Sequence, residues 1–184
     1  MLGEGTSPFV MVSDCYAAQL KKQTAGKQIC LAHLVRECQG LYDRYQSQWA
    51  LNLKAKLEQI LTLTQEPMLP THRVERIEAE LISILKRVRG KAHHKVIVFR
   101  NRLYKLYSYL TTCLHNRLVP PTNNMSERAL RSTKVKMRVS SLFRTAQGAQ
   151  DYAIIRSVID SAILQGKNPF DALLQPQILL NLGE

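Results

Sequence analysis

Acidic residues are scarce: 14 Asp and Glu stand against 26 Lys and Arg, a formal charge of +12 over 184 residues. So one-sided a field excludes an acidic, self-solvating chain, and its commonest partner is a polyanion, with nucleic acid ahead of an anionic membrane surface. Long apolar runs are also missing, and none approaches the ~20 residues of a membrane-spanning helix. Met1 to Ser7 lacks the basic start of a signal peptide, so no membrane is expected as partner and the expected place is the cytoplasm. Cysteines number four (Cys15, Cys30, Cys38, Cys113) at irregular spacing, unlike the disulfide framework of a small secreted domain; reduced thiols are expected. There is no internal repeat and no low-complexity segment. With 45% hydrophobic residues, the chain has enough apolar side chain for one domain with a sizeable core.

The pattern that remains is mixed α/β with helix in excess. Pro8 to Ser13 is a short apolar run behind a Gly/Ser/Pro cluster, and reads as a buried parallel strand with Asp14 at its carboxyl end. A short helix from Tyr16 to about Gln23 and a turn at Gly26 lead to a second strand, Gln28 to His33, which completes a small βαβ unit. From Leu34 to Leu63 apolar residues recur at helical spacing, as one long helix or two in succession, until Pro67 to Pro70 stops them. A second helical block carries Val74, Ile77, Leu81, Ile84, Leu85 and Val88 on one face, and a basic turn around Gly90 follows. A third block runs from Val96 to His115 with Leu103, Leu106, Tyr107 and Leu110 inward. Pro120-Pro121 is a hard break, and Thr122-Asn123-Asn124 offers caps for a helix near Met125 that holds Glu127 in its first turn or two. A helix over about Ala149 to Gln165 is closed by Gly166, and a last short one starts near Pro169.

Two carboxylates have contexts unlike the solvated acids elsewhere. Asp14 closes a strand and Glu127 opens a helix after a proline break; each position also suits a plain structural role, as cap or as complement to the helix dipole. The stretches Val12-Ser13-Asp14-Cys15-Tyr16-Ala17-Ala18, Cys30-Leu31-Ala32-His33-Leu34-Val35-Arg36 and Pro121-Thr122-Asn123-Asn124-Met125-Ser126-Glu127-Arg128-Ala129-Leu130-Arg131 resemble, in order and spacing, the transposases of the insertion-sequence-66 family. Leu142-Phe143, Gly148-Ala149 and Gly166-Lys167-Asn168-Pro169 resemble that family's closing motif.

The resemblance implies an α/β, mostly α-helical, partial RNase-H-like fold with two parallel strands and a helical insertion over approximately residues 34–118, the whole of 1–184 being one catalytic domain. It implies three carboxylates holding two Mg²⁺ ions that activate an attacking hydroxyl and stabilise the leaving 3′ oxygen of a phosphodiester. Asp14 would be the second metal ligand and Glu127 the third. Only Glu4 is acidic ahead of Asp14, and it lies in a Gly-rich turn, so the expectation is a transposase truncated ahead of its first aspartate and inactive alone. The expected partners are transposon-end DNA, a separately encoded amino-terminal segment or an intact transposase, and further copies of the chain through the open edge of the first strand. Its expected surroundings are the bacterial cytoplasm and nucleoid. The rival to an enzyme is an inactive fragment that only binds DNA, or the product of a decaying gene.

His33 is an accessory candidate, and a packed core histidine is the equal alternative. Cys15, Cys30, His33 and Cys38 make a weak zinc set, because no second matched pair accompanies Cys30 and His33. After Glu127 come Arg128, Arg131, Lys134, Lys136, Arg138 and Arg144 with no intervening acid. Such a stripe would neutralise phosphates and set affinity and register rather than sequence choice, or it is simply a soluble face. Lys86, Arg87, Arg89, Lys91, Lys95, Arg100 and Arg102 form a second cluster suited to flanking DNA. Trp49, Tyr104, Tyr107 and Tyr109 could stack on bases or pack in the core.

Overall fold

A computed structural model describes residues 7–87, 92–139 and 143–174. The chain forms two compact units, Met1–Asn123 and Asn124–Glu184.

The first unit opens with strand β1 (Ser7–Ser13), the single-turn helix α1 (Ala17–Leu20) and strand β2 (Thr24–Ile29), which pairs parallel to β1 with Val10 opposite Gly26 and Ser13 opposite Ile29. The parallel βαβ pair is as expected, but β2 lies earlier in the chain than Gln28 to His33. Gly26 is inside the strand rather than in a turn. A Cβ there would stand 3.3 Å from Val10 Cγ2, so glycine lets the strands approach at that rung. β2 therefore ends at Ile29, and Leu31, Ala32 and His33 belong to helix α2 (Leu31–Tyr45). The helix expected from Tyr16 to Gln23 is likewise cut to one turn.

The helical stretch from Leu34 to Leu63 is two helices, α2 and α3 (Gln48–Leu63). They part where Gln46 adopts a left-handed φ of 50° and the Ser47 hydroxyl accepts the Ala50 N–H at 3.4 Å. Helix α4 (Thr71–Lys86) buries Val74, Ile77, Leu81 and Leu85. Val88, Arg89, Gly90 and Lys91 lie outside the described residues. Helix α5 (His94–Lys105) then stops short of the expected His115: a 3₁₀ turn at Tyr107–Leu110 and the short helix α6 (Thr112–His115) replace it. The tighter turn rotates Tyr107 outward, 45% exposed, while Leu110 is fully buried. The core joins Ile29 and Leu34 to Leu53, Leu57, Ile60, Ile77, Leu81, Leu85, Leu103 and Leu110.

One buried polar residue ties sheet to helices. Gln28 has no exposed surface. Its Nε2 donates to the carbonyls of Ile29 (2.7 Å) and Leu110 (3.3 Å), and its Oε1 accepts the Cys113 N–H at 2.8 Å. Beside it the Thr112 hydroxyl donates to Lys27 O at 2.6 Å. A buried amide is tolerated only when bonded, so these contacts fix the register of the returning segment against β2. The segment continues to Pro121, whose carbonyl accepts the Leu31 N–H at 2.9 Å, and to Asn123, whose N–H faces Cys30 Sγ at 3.5 Å.

The second unit contains α7 (Asn124–Val139), α8 (Ala146–Leu164) and α9 (Pro169–Leu174). The Thr145 hydroxyl accepts the Gly148 N–H at 3.0 Å and caps α8. Gly166, φ +66°, closes it with Lys167 N–H donating to Ala162 O at 2.8 Å, the reversed turn in which glycine carries no Cβ penalty. α7 buries no residue and α8 only Ala162; Ile154 in α8 is 57% exposed. Residues 175–184 lie outside the described residues.

Gln28→Leu keeps the volume but strands the buried Cys113 N–H. It should lower unfolding free energy by about 2–4 kcal/mol, read from the urea midpoint. A midpoint equal to the parent's would show that the three bonds carry no net stability.

Candidate functional site

Asp14 sits just past β1. Its Oδ1 accepts the Tyr16 N–H at 3.1 Å, which turns the chain into α1 without making Asp14 the cap, since Tyr16 holds that position with no side-chain bond. The carboxylate is half-buried, and among the described residues no Lys, Arg or His pairs with it. The same end of the sheet is closed by the Cys30 N–H, which donates to Ser13 O at 2.7 Å. Asp14, Cys30 and the chain's exit at Asn123 are thereby linked through consecutive backbone contacts within the first unit.

His33 lies in the first turn of α2, half-buried, and not on a strand. Burial pushes the Cys38 thiol up to about 12 and the Cys113 thiol up to about 11; it raises Cys15 too, against the opposing charge of Arg102. At neutral pH Cys38 and Cys113 are therefore protonated, and neither is poised as a thiolate nucleophile. Among the described residues no three His, Cys, Asp or Glu side chains gather as a metal site would require. Glu4 lies outside them.

In the second unit Glu127 occupies the first turn of α7, where its charge complements the helix dipole. Residues three and four apart share a helix face. Asn124, Glu127, Arg128, Arg131 and Lys134 accordingly line one groove of ≈ 360 Å³. Arg128, Arg131 and Lys134 are exposed and Glu127 is half-buried. A shallower groove on the next face is lined by Arg128, Arg131, Ser132, Val135, Lys136 and Val139.

The six basic residues singled out in the sequence thus do not act as one row. Lys136 is half-buried, with its ammonium 5.4 Å from the Phe143 ring centroid and 5.5 Å from that of Tyr152. Those contacts hold the cation by its attraction to two ring faces and join α7 to the start of α8. Arg138 and Arg144 are exposed and line neither groove.

A third basic groove escaped the sequence reading. Lys21, Lys22 and Lys27 line a ≈ 460 Å³ hollow with Gly26 and Tyr109, and Lys27 stands 5.7 Å over the Tyr109 ring. Only the folded chain brings Tyr109 to the start of β2; the Lys21-Lys22 pair was the visible signal. Of the other aromatics, Trp49 is half-buried and donates to Ile84 O at 2.8 Å, while Tyr104 is 43% exposed. Among the described residues no helix is long and apolar enough to cross a membrane.

The sequence profile described as "Transposase IS66 family" matches residues 2–151. That span contains Asp14, His33, Glu127 and the whole basic stripe. No curated protein and no solved structure matches the chain.

The groove on α7 should dominate polyanion binding. Replacing Arg128, Arg131 and Lys134 together by Ala should bring the chain off heparin at clearly lower salt, whereas Lys136→Ala should shift elution much less because its charge is already engaged. Equal shifts would mean that the rings do not hold Lys136 in solution.

Proposed function

The chain belongs to the IS66 transposase family, and from that premise we propose that it works in DNA transposition, as part of a metal-dependent DDE-type transposase acting on transposon-end DNA. The observation that carries the reading is where the first unit releases the chain. Asn123 is held against Cys30, and Cys30 against Ser13, next to Asp14. Glu127 follows four residues later, in the first turn of α7. A carboxylate at the carboxyl end of a parallel strand, a second one in the first turn of the helix that follows the chain's exit, and exposed guanidinium and ammonium groups beside the second suit phosphodiester chemistry on DNA.

On this reading the parallel pair belongs to an RNase-H-like sheet, the helices between residues 34 and 118 are an insertion into it, and 1–184 act as one catalytic domain. Asp14 and Glu127 are its metal-facing carboxylates. Hard carboxylate oxygens suit Mg²⁺, which would supply charge for the attacking and leaving oxygens. The described residues do not assemble a closed site for it, since no third ligand gathers with either carboxylate. The residues themselves contribute binding and position. Arg128, Arg131 and Lys134 fix phosphates along α7, with Arg138 and Arg144 extending the cationic surface, and the Tyr16 N–H orients the Asp14 carboxylate. His33, one turn into α2 on the far side of Cys30, is an accessory group. Among the described residues β1 pairs with β2 on one side, and on this reading a further strand or a second copy would pair along β1.

The test is excision of a marked element in cells that supply this chain together with the element's other products. Asp14→Asn and Glu127→Gln should each lower excision about a hundredfold or more while leaving end-DNA binding in place. Full excision by Asp14→Asn would refute its role, and end binding without excision by the parent chain would leave only a DNA-binding module.

A further inference from the structure

The corner between α2 and α3 holds a cavity that the carboxylates and the α7 groove do not explain. It measures ≈ 570 Å³, in the range of sites that bury small planar ligands, and lies wholly in the first unit. Tyr45, Gln46, Trp49, Asn52, Arg87 and His93 are among the residues lining it.

Its rings are fixed in place. Tyr45 and His93 stack at 3.9 Å between centroids with 11° between their planes. His93 Nδ1 accepts the Lys95 N–H at 3.3 Å, which anchors the imidazole at the start of α5 and leaves Nε2 as the protonated edge. Trp49 is held by its bond to Ile84 O and by an edge contact with Phe99, 6.2 Å between centroids at 81°. Gln46 lines the cavity from a left-handed backbone, φ 50°, where glycine would be less strained, and its Nε2 donates to Asp43 O at 3.3 Å. Asn52, whose Oδ1 accepts from Gln48 Nε2 at 3.3 Å, adds amide N–H donors, and exposed Arg87 adds a guanidinium.

Ring surfaces, amides that donate and accept, and one cation together match a heteroaromatic base with polar edges attached to a phosphate. Bases within a duplex have both faces stacked and their edges paired, so only an unpaired base could enter. We infer that this cavity is a second nucleic-acid site that receives an unpaired base of the DNA strand, stacked among Tyr45, His93 and Trp49, with its phosphate on Arg87. The inference rests on the transposition reading for the identity of the strand, not on the roles of Asp14 or Glu127.

Trp49 is the chain's single tryptophan, so its emission reports on this cavity alone. The intact chain is titrated with fluorescein-labelled element-end duplex, blunt or carrying a short single-stranded flank, following anisotropy for binding and Trp49 emission for occupancy. Both DNAs should bind, and only the flanked one should quench Trp49. Tyr45→Ala should weaken the flank-dependent part about tenfold, Tyr45→Phe should retain it, and Arg87→Ala should weaken it even where Tyr45→Ala fails to fold by circular dichroism. Flanked DNA that binds without changing Trp49 emission, or that binds Arg87→Ala and a folded Tyr45→Ala as it binds the parent, would overturn the inference and leave the transposition reading intact. Quenching by a free deoxynucleoside monophosphate at lower concentration than by the flanked DNA would overturn it too, by assigning the cavity to a free nucleotide. If neither DNA bound, the transposition reading itself would fall and this inference with it.

Discussion

A single buried amide governs how the first unit closes. Gln28 stands in β2 with no access to water, and a primary amide in that position costs several kcal/mol unless its donors and acceptor are met. Its partners are the Leu110 carbonyl and the Cys113 N–H, 82 and 85 residues further along. The helical stretch between β2 and that return is free in length but not in where it ends. Once Leu110 to Cys113 is bound to Gln28, the chain runs past Leu31 and Cys30 and leaves at Asn123 beside the strand ends. Apolar packing of α2 to α5 supplies the bulk of the stability, while the amide selects one register among those that packing alone would permit.

The consequence for function is positional. The half-buried carboxylate of Asp14 and the point where the chain departs toward Glu127 are fixed by the same few backbone bonds. The Gln28 and Thr112 bonds anchor the returning segment to β2. The cationic groove on α7 and the aromatic cavity at the α2 and α3 corner draw on different chemistry. One offers charge along an exposed helix; the other offers fixed ring faces and amide edges.

Much of this was legible before folding. The strand ending at Asp14, the parallel pairing, the opening of α7 near Met125 and the glycine closure of α8 all follow from local signals, namely apolar runs, proline breaks and a left-handed stop. Where the reading went astray, a distant residue made the decision. Gly26 looked like a turn because its need for a missing Cβ comes from Val10 across the sheet. Gln28 looked like the polar start of a strand because its partners, the Leu110 carbonyl and the Cys113 N–H, lie 82 and 85 residues further along. The helix expected through His115 breaks at Leu106, after which a 3₁₀ turn sets Leu110 into the core and Tyr107 out of it. In the basic stripe, counting cations could not reveal that the Phe143 and Tyr152 rings hold Lys136, and helical spacing could not show that α7 buries nothing.

Amide hydrogen exchange on the intact chain tests the central claim, that β2 and the returning segment are one cooperative structure. The N–H groups of Cys30, Leu31 and Cys113 should exchange together, at the rate of global unfolding of the first unit, and all three should speed up in parallel when denaturant is added. If Cys113 exchanged well ahead of Cys30 and Leu31, the return would be opening independently of β2. The Gln28 amide could not then be what places the chain's exit beside Asp14.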